Sequence, residues 1–85
     1  MRNIQQELRQ FVIDNFLFGQ GNGNLHNDDS FLDKGIIDST GVLELVTFLE
    51  EKYHVKIHDH ELVTENLDSV NNLVRFIETK LEQAP

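Results

Sequence analysis

Apolar residues recur at the spacing of a helix face in three stretches of the chain. The first set repeats at i, i+4, i+7, i+8 and i+12, and the other two sets have similar spacing. The three sets are Ile4, Leu8, Phe11, Val12 and Phe16; Val42, Leu45, Val46, Leu49 and Tyr53; and Val70, Leu73, Val74, Ile77 and Leu81. They predict helices over residues 3–18, 39–53 and 69–82. The single proline, Pro85, follows the last of them, so no predicted helix is interrupted.

The segments between the predicted helices differ in length and character. Glycine and asparagine dominate residues 19–24, which end the first helix and open a long connection over residues 19–38. Five apolar residues are expected to fasten the second half of this loop to the core: Leu25, Phe31, Leu32, Ile36 and Ile37. Residues 59–63 predict a short third helix. Because strand-like alternation is nearly absent, we predict an all-α four-helix bundle with three main helices, in a single domain over residues 1–85.

Composition and charge narrow the possible functions. The 85 residues include no cysteine, which excludes disulfides, thiolate zinc sites and a thiol nucleophile in the chain itself. Fifteen acidic against seven basic residues give a net charge of −8, which argues against binding nucleic acid or an anionic membrane. No apolar run approaches the ~20 residues of a membrane span, and the N-terminus lacks the apolar stretch of a signal peptide. We expect a monomeric cytoplasmic protein that binds basic protein surfaces.

Asp38 and Ser39 stand where the second predicted helix begins. Unpaired N–H groups and the positive end of the helix dipole stabilise a phosphate at such a position, which would favour a phosphodiester on Ser39. Asp38 is suited to capping the helix, to helping a modifying enzyme hold a metal ion, or to both. The simpler interpretation is an ordinary N-cap pair, and the same dipeptide recurs at Asp68 and Ser69. We interpret Ser69 as a cap, because its helix bears basic residues and does not follow the long loop.

The segment from Asp33 to Val46 resembles the attachment segment of the acyl carrier protein family. The resemblance covers roughly residues 4–82 and continues through residues 48–53 and 55–57. It implies a four-helix bundle without catalytic activity, in which the matching serine, Ser39, carries a covalent 4′-phosphopantetheine arm. It also implies that a phosphopantetheinyl transferase supplies the arm from coenzyme A, and that the thiol of the arm holds acyl groups as thioesters. A chain without cysteine would thereby obtain a thiol from its cofactor.

The resemblance also implies a surface for partner enzymes around the second helix. The matching positions are Asp38, Glu44, Glu50, Glu51, Leu43 and Thr40. Most of them are acidic, and residues 38–85 hold ten acidic and four basic residues, a balance of −6. Glu44 and Glu51 lie seven residues apart, about two turns, and are expected to share a face. The expected partners are the transferase, acyl or aminoacyl ligases, acyltransferases and synthases with basic patches. The alternative is a solvated acidic face that only aids solubility.

Several positions differ from the commonest fatty-acid type of the family. They are Thr40, Gly41, Thr47 and His58. Gly41 stands where that type has an acid, and Thr47 where it often has a larger apolar residue. The run from Asp38 to Gly41 is also similar to D-alanyl carrier proteins. The leading hypothesis is an acyl carrier for fatty-acid, polyketide or specialised lipid biosynthesis. The alternatives are an aminoacyl or D-alanyl carrier loaded by an adenylating ligase and, from another class, an unmodified acidic helical adaptor.

Histidines near residue 58 are the remaining candidates for chemistry. His54, His58 and His60 lie close to Asp59 in the sequence, and imidazole with carboxylate is a donor set that zinc accepts. Their spacing matches none of the usual structural zinc patterns, so we predict no metal site. A bundle this small offers no arrangement for a catalytic triad. We therefore expect no intrinsic enzymatic activity.

Overall fold

The helices of the computed structural model, which describes residues 3–17 and 25–83, follow the apolar pattern of the sequence. They are α1 (Ile4–Phe16), α2 (Ser39–Tyr53), α3 (Thr64–Leu67) and α4 (Val70–Gln83), with a 3₁₀ turn at Asp59–Glu61. The described residues contain no strand. The prediction of an all-α four-helix bundle is confirmed. Residue 18, the predicted end of the first helix, and the loop residues 19–24 lie outside the described residues.

The short third helix lies further along the chain than the sequence predicts. Residues 59–61 form only a 3₁₀ turn, and the α-helix begins at Thr64. Between them Val63 is extended, with φ −123° and ψ 155°. Its carbonyl accepts hydrogen bonds from the N–H groups of Asn66 at 3.0 Å and Leu67 at 3.1 Å. The prediction over residues 59–63 is corrected for this reason: the β-branched Val63 takes the extended conformation that such residues favour and precedes the helix rather than ending it.

Apolar side chains of α1, α2 and α4 meet in one core. The helix residues with no exposed surface are Leu8, Val12, Leu45, Leu49, Val70, Leu73 and Ile77. At the end of α2, Tyr53 is buried as well, and its hydroxyl donates a hydrogen bond to Glu7 Oε1 at 2.8 Å. This bond satisfies the one polar atom of a large buried ring and ties α2 to α1.

The second half of the long loop belongs to the core. Leu25, Phe31 and Ile37 are only 5%, 1% and 2% exposed. Leu32, in contrast, is 48% exposed, so the expectation that it fastens the loop is wrong. The reason is a tight turn in which the Phe31 carbonyl accepts hydrogen bonds from the N–H groups of Ile36 at 2.8 Å and Ile37 at 3.3 Å. The turn draws Phe31 and Ile37 inward and leaves Leu32 outside.

Arg9 of α1 holds the beginning of this packed half of the loop. Its Nη1 donates to the Leu25 carbonyl at 2.7 Å and to Asn27 Oδ1 at 3.0 Å. The Asn27 carbonyl in turn accepts a hydrogen bond from the Asn71 N–H of α4 at 3.0 Å. The loop is therefore fixed to two helices before it reaches Ser39, and the start of α2 has a defined place in the bundle.

An ion pair joins the 3₁₀ turn to α4. Lys80 Nζ lies 2.8 Å from Glu61 Oε1 and 3.0 Å from Glu61 Oε2, and the side chains are only 12% and 19% exposed. The His58 N–H donates to Glu61 Oε1 at 2.9 Å. The hydrogen bond from His58 and then that from Lys80 lower the pKa of Glu61 below its usual value of 4.5. The ionised carboxylate is thus stabilised by folding.

We expect Glu61→Gln to lower the free energy of unfolding at pH 7 by about 1–2 kcal/mol, since a charge-assisted pair becomes a neutral one. The folded-state pKa of Glu61 lies below the unfolded value, so its contribution is complete above pH 4.5 and is lost as the pH falls through the folded-state pKa. The variant should therefore lose less stability on acidification than the wild type. Urea titrations at several pH values measure this. Equal acid sensitivity in both proteins, or the same effect from replacing exposed Glu65 by Gln, would contradict the stabilising role of the Glu61–Lys80 ion pair.

Candidate functional site

Ser39 is the first residue of α2, and its side chain is exposed. Asp38 is the N-cap, and its Oδ1 accepts a hydrogen bond from the Gly41 N–H at 2.7 Å. The cap takes one of the N–H groups that a helix leaves unpaired in its first turn, and the other first-turn N–H groups still point out of the helix end. The Ser39 hydroxyl consequently lies at the positive end of a 15-residue helix.

Gly41 lets α1 approach this first turn closely. A Cβ atom at Gly41 would lie 2.9 Å from Phe16 Cε1 and 3.0 Å from Ile37 Cγ2, closer than side-chain atoms normally pack. Gly41 is also buried. The difference from the fatty-acid type at this position therefore has a structural reason: no acidic side chain has room there while Phe16 packs against α2.

The two Asp-Ser pairs differ in the exposure of their serines. Ser69 is 6% exposed, and its Oγ accepts a hydrogen bond from the Asn72 N–H at 3.1 Å. This is the geometry of an N-cap for α4, and the interpretation of Ser69 as a cap is confirmed. Ser39 is therefore exposed at the surface, whereas the Ser69 hydroxyl is buried and caps α4.

A largely apolar cavity opens beside Ser39. Its volume is about 250 Å³, and its walls come from the loop, α2 and the segment from Leu62 to Asp68. Phe31, Ile37, Val42 and Leu67 are among the residues that line it. Sequence reasoning missed this cavity. No pattern in the sequence identifies it. In the structure, apolar Leu32 and Val63 line the cavity while remaining 48% and 44% exposed.

Glu44 and Glu51 are exposed and line one cleft between α1 and α2. The cleft has a volume of about 480 Å³. Leu43, 62% exposed, lines it as well. Its apolar part includes Phe11 of α1 and Phe48 of α2, whose rings stack with centroids 3.8 Å apart. The structure therefore brings two acidic residues and a protruding leucine to one cleft. Leu43 and Glu44 lie about one helical turn from Ser39, and Glu51 lies about two turns further along α2.

Glu50 occupies a different place from Glu44 and Glu51. It is half-buried, and its Oε2 accepts a hydrogen bond from the Ile57 N–H at 2.9 Å. The carboxylate thereby fixes the chain where it turns back after α2. Thr40 is exposed and follows Ser39 in the first turn. Among the sequence candidates, Glu50 thus has a role within the fold, whereas Thr40 is available at the surface beside the serine.

The three candidate histidines, His54, His58 and His60, lie at the end of α2 and at the 3₁₀ turn. His54 ends α2 in the left-handed conformation, with φ 56°. The rings of His58 and His60 stack with centroids 5.6 Å apart. Within residues 3–17 and 25–83, no three His, Asp or Glu side chains gather in a group that could hold a metal ion. No helix in the same ranges is both long and apolar enough to cross a membrane.

Comparison with known proteins agrees with this site. The family described as phosphopantetheine attachment site matches residues 17–77, a range that contains Ser39 and every residue of α2. The acyl carrier protein of Exiguobacterium sibiricum is 38% identical over 63 residues, which are 74% of this chain and 77% of that protein. The chain therefore belongs to the acyl carrier protein family of non-catalytic carriers, whose prosthetic group is 4′-phosphopantetheine.

Proposed function

We propose that this chain is an acyl carrier in fatty-acid, polyketide or specialised lipid biosynthesis, with Ser39 as its attachment residue. A phosphopantetheinyl transferase links 4′-phosphopantetheine from coenzyme A to Ser39 Oγ. The thiol of the bound group then holds an acyl chain as a thioester for delivery to partner enzymes. One observation carries the proposal: Ser39 is exposed and also lines a largely apolar cavity.

The surroundings of Ser39 fit a phosphodiester. Its oxygen is exposed, so a transferase has access, and the N-terminus of α2 stabilises a nearby anion. Asp38 orders this end of the helix through its bond to the Gly41 N–H. Because Asp38 is an exposed residue, we assign it a second role in holding the metal ion of the transferase beside Ser39. Charge at the helix end and access to the hydroxyl together support attachment here.

The cavity favours an acyl cargo over an aminoacyl cargo. Each methylene group that leaves water for an apolar wall contributes about 0.8 kcal/mol, so Phe31, Val42 and Leu67 would favour a hydrocarbon chain. An aminoacyl group would bring an ammonium instead. Asp68, which lines the same cavity, already accepts hydrogen bonds on both carboxylate oxygens, from Ser30 Oγ and the Leu32 N–H. The ammonium of a D-alanyl cargo that binds there would share the carboxylate with these two loop donors.

Mass spectrometry tests the proposal. The purified protein is incubated with coenzyme A and a promiscuous phosphopantetheinyl transferase, and we expect the mass to increase by one phosphopantetheine group. The modified protein is then offered to ligases with octanoate, D-alanine and other amino acids. A protein that gains no mass would exclude the carrier function and leave the acidic adaptor. Loading by an amino acid and by no acyl chain would favour the aminoacyl or D-alanyl carrier.

We expect Glu44→Lys and Glu51→Lys to slow the transfer of phosphopantetheine from coenzyme A to this protein. Each substitution replaces a negative charge of the cleft by a positive one and so weakens the attraction of the cleft to a basic surface on the transferase. The effect should appear in KM rather than kcat and amount to roughly 3–10-fold for each substitution at low salt. Added salt should slow the wild type towards the same rate. The matched control is Glu78→Lys on α4, which changes the net charge equally on another helix. An equal rise in KM for the control variant would show that only net charge matters.

A further inference from the structure

Asp68, the other residue of the second Asp-Ser pair, holds three consecutive residues of the loop. Its Oδ2 accepts a hydrogen bond from the Ser30 hydroxyl, and its Oδ1 accepts one from the Leu32 N–H at 3.0 Å. Its backbone carbonyl accepts a third from the Phe31 N–H at 2.8 Å. A carboxylate has two acceptor oxygens and forms stronger hydrogen bonds than a neutral group, so Asp68 is suited to binding two loop donors at once.

Two of the residues held in this way, Phe31 and Leu32, belong to one wall of the cavity. Phe31, Leu32 and Asp68 all line it, together with Ser39. Ser30 also begins the turn that leads to Ser39, since its carbonyl accepts from the Lys34 N–H at 3.0 Å. The connection from Asp68 to the attachment serine therefore runs through a short, hydrogen-bonded piece of chain. The Leu32 side chain is 48% exposed, so its position depends on its backbone rather than on burial.

We propose that Asp68 is a positioning residue for the cargo cavity: by binding Ser30 and Leu32 it keeps the loop wall closed beside Ser39. The inference rests on the proposed function, because the wall matters only if the group on Ser39 delivers an acyl chain to the cavity. Without the carboxylate, the Leu32 N–H and the Ser30 hydroxyl lose their acceptor. The wall then opens to water, although Phe31 remains anchored by its burial and by the backbone bond.

Amide hydrogen exchange of the unmodified protein tests the structural half of the proposal. Asp68→Ala should speed exchange at the Leu32 amide by about tenfold or more, since a charge-assisted hydrogen bond protects that amide in the wild type. Amides in the middle of α1 should change much less. Exchange at Leu32 that stays at the wild-type rate would overturn the proposal, and this measurement does not depend on any modification of Ser39.

Thioester reactivity tests the functional half. The protein is loaded with an acetyl or an octanoyl thioester and treated with hydroxylamine, which forms the acyl hydroxamate and releases the thiol. Burying two methylene groups corresponds to about tenfold protection, so the wild-type octanoyl thioester should react about tenfold more slowly than the acetyl one. In Asp68→Ala this ratio should approach one. A wild-type ratio of one, or an unchanged ratio in the variant, would overturn the proposal.

Three further variants separate the positioning role of Asp68 from its contribution to general stability. Ser69→Ala removes the neighbouring cap of α4 without touching the loop, and it should retain the wild-type ratio when compared at equal fraction folded. Asp68→Asn keeps an acceptor for the Leu32 N–H and an amide for Ser30, so it should recover most of the protection. Ser30→Ala, which leaves Asp68 in place, replaces Asp68→Ala if that variant does not fold. Loss of protection in Ser69→Ala equal to that in Asp68→Ala would reduce Asp68 to a structural role.

Failure of the two proposals would look different. If the wild-type protein takes up no phosphopantetheine, the carrier function is wrong, whatever the Leu32 amide does. If the protein is modified and protects octanoate, but Asp68→Ala protects it equally well, the carrier function stands and the positioning role of Asp68 is wrong.

Discussion

Replacement of Ser39 by alanine should abolish phosphopantetheine attachment. The hydroxyl oxygen is the atom that would form the bond to phosphorus, and alanine has no atom to replace it. The fold should be unaffected, because Asp38 caps the helix and the exposed Ser39 side chain contributes little to packing. Intact-protein mass spectrometry after incubation with coenzyme A and a transferase measures the result, and the thermal unfolding curve confirms that the variant is folded.

The chain carries its own control for this result. Ser69 follows an aspartate at the start of a helix just as Ser39 does, but it is 6% exposed and caps α4. Ser69→Ala should lose about 1 kcal/mol of stability and still take up one phosphopantetheine group. Modification of Ser39→Ala, or loss of modification in folded Ser69→Ala, would show that the wrong serine has been assigned.

Phe31→Ala should lower the free energy of unfolding by about 3–5 kcal/mol, because truncating a large buried ring removes its contacts and leaves a cavity. Phe31 is 1% exposed and anchors the loop that leads to Ser39. Since small domains are stable by only about 5–15 kcal/mol, this one substitution should remove a large share of the total. Urea unfolding followed by circular dichroism measures the change.

The adjacent residue provides the comparison for Phe31. Leu32→Ala removes about half as many carbon atoms as Phe31→Ala, and from a position that is 48% exposed, so the expected loss is below about 1 kcal/mol. The two values should therefore differ severalfold although the residues are neighbours in the loop. Equal losses for both variants would mean that Leu32 is part of the core, as the sequence pattern alone indicated.

The contrast between Phe31 and Leu32 shows that the periodicity of apolar residues predicts burial within the helices but not in the loop. Within α1, α2 and α4 the spacing of apolar residues identified the buried face, because a helix repeats its geometry every 3.6 residues. The loop has no such repeat, so each of its apolar residues appeared equally suited to the core. The hydrogen bonds that place Phe31 inside and Leu32 outside come from Ile36, Ile37 and Asp68, and no pattern in the sequence identified them.

The candidate site also has a part that the sequence predicts and a part that it does not. Ser39 and its cap were predicted from a local motif, and the structure places both as expected at the start of α2. The cavity could not be predicted, because its walls come from the loop, α2 and the segment before α4, which meet only in the folded chain. The family resemblance places Glu50 beside Glu51 on the partner surface, but in the structure the carboxylate of Glu50 accepts a hydrogen bond from the Ile57 N–H within the fold.

The close approach at Gly41 restricts how segments of such proteins can be exchanged. Position 41 has no space for a side chain while an aromatic ring occupies position 16, since a Cβ would lie 2.9 Å from Phe16 Cε1. A chimera that receives the second helix of a relative with an acid at this position would also need smaller residues at 16 and 37, since Ile37 Cγ2 would lie 3.0 Å from the same Cβ. Grafting of the attachment helix therefore involves α1 and the loop as well as α2, and residues 16, 37 and 41 must be transferred together.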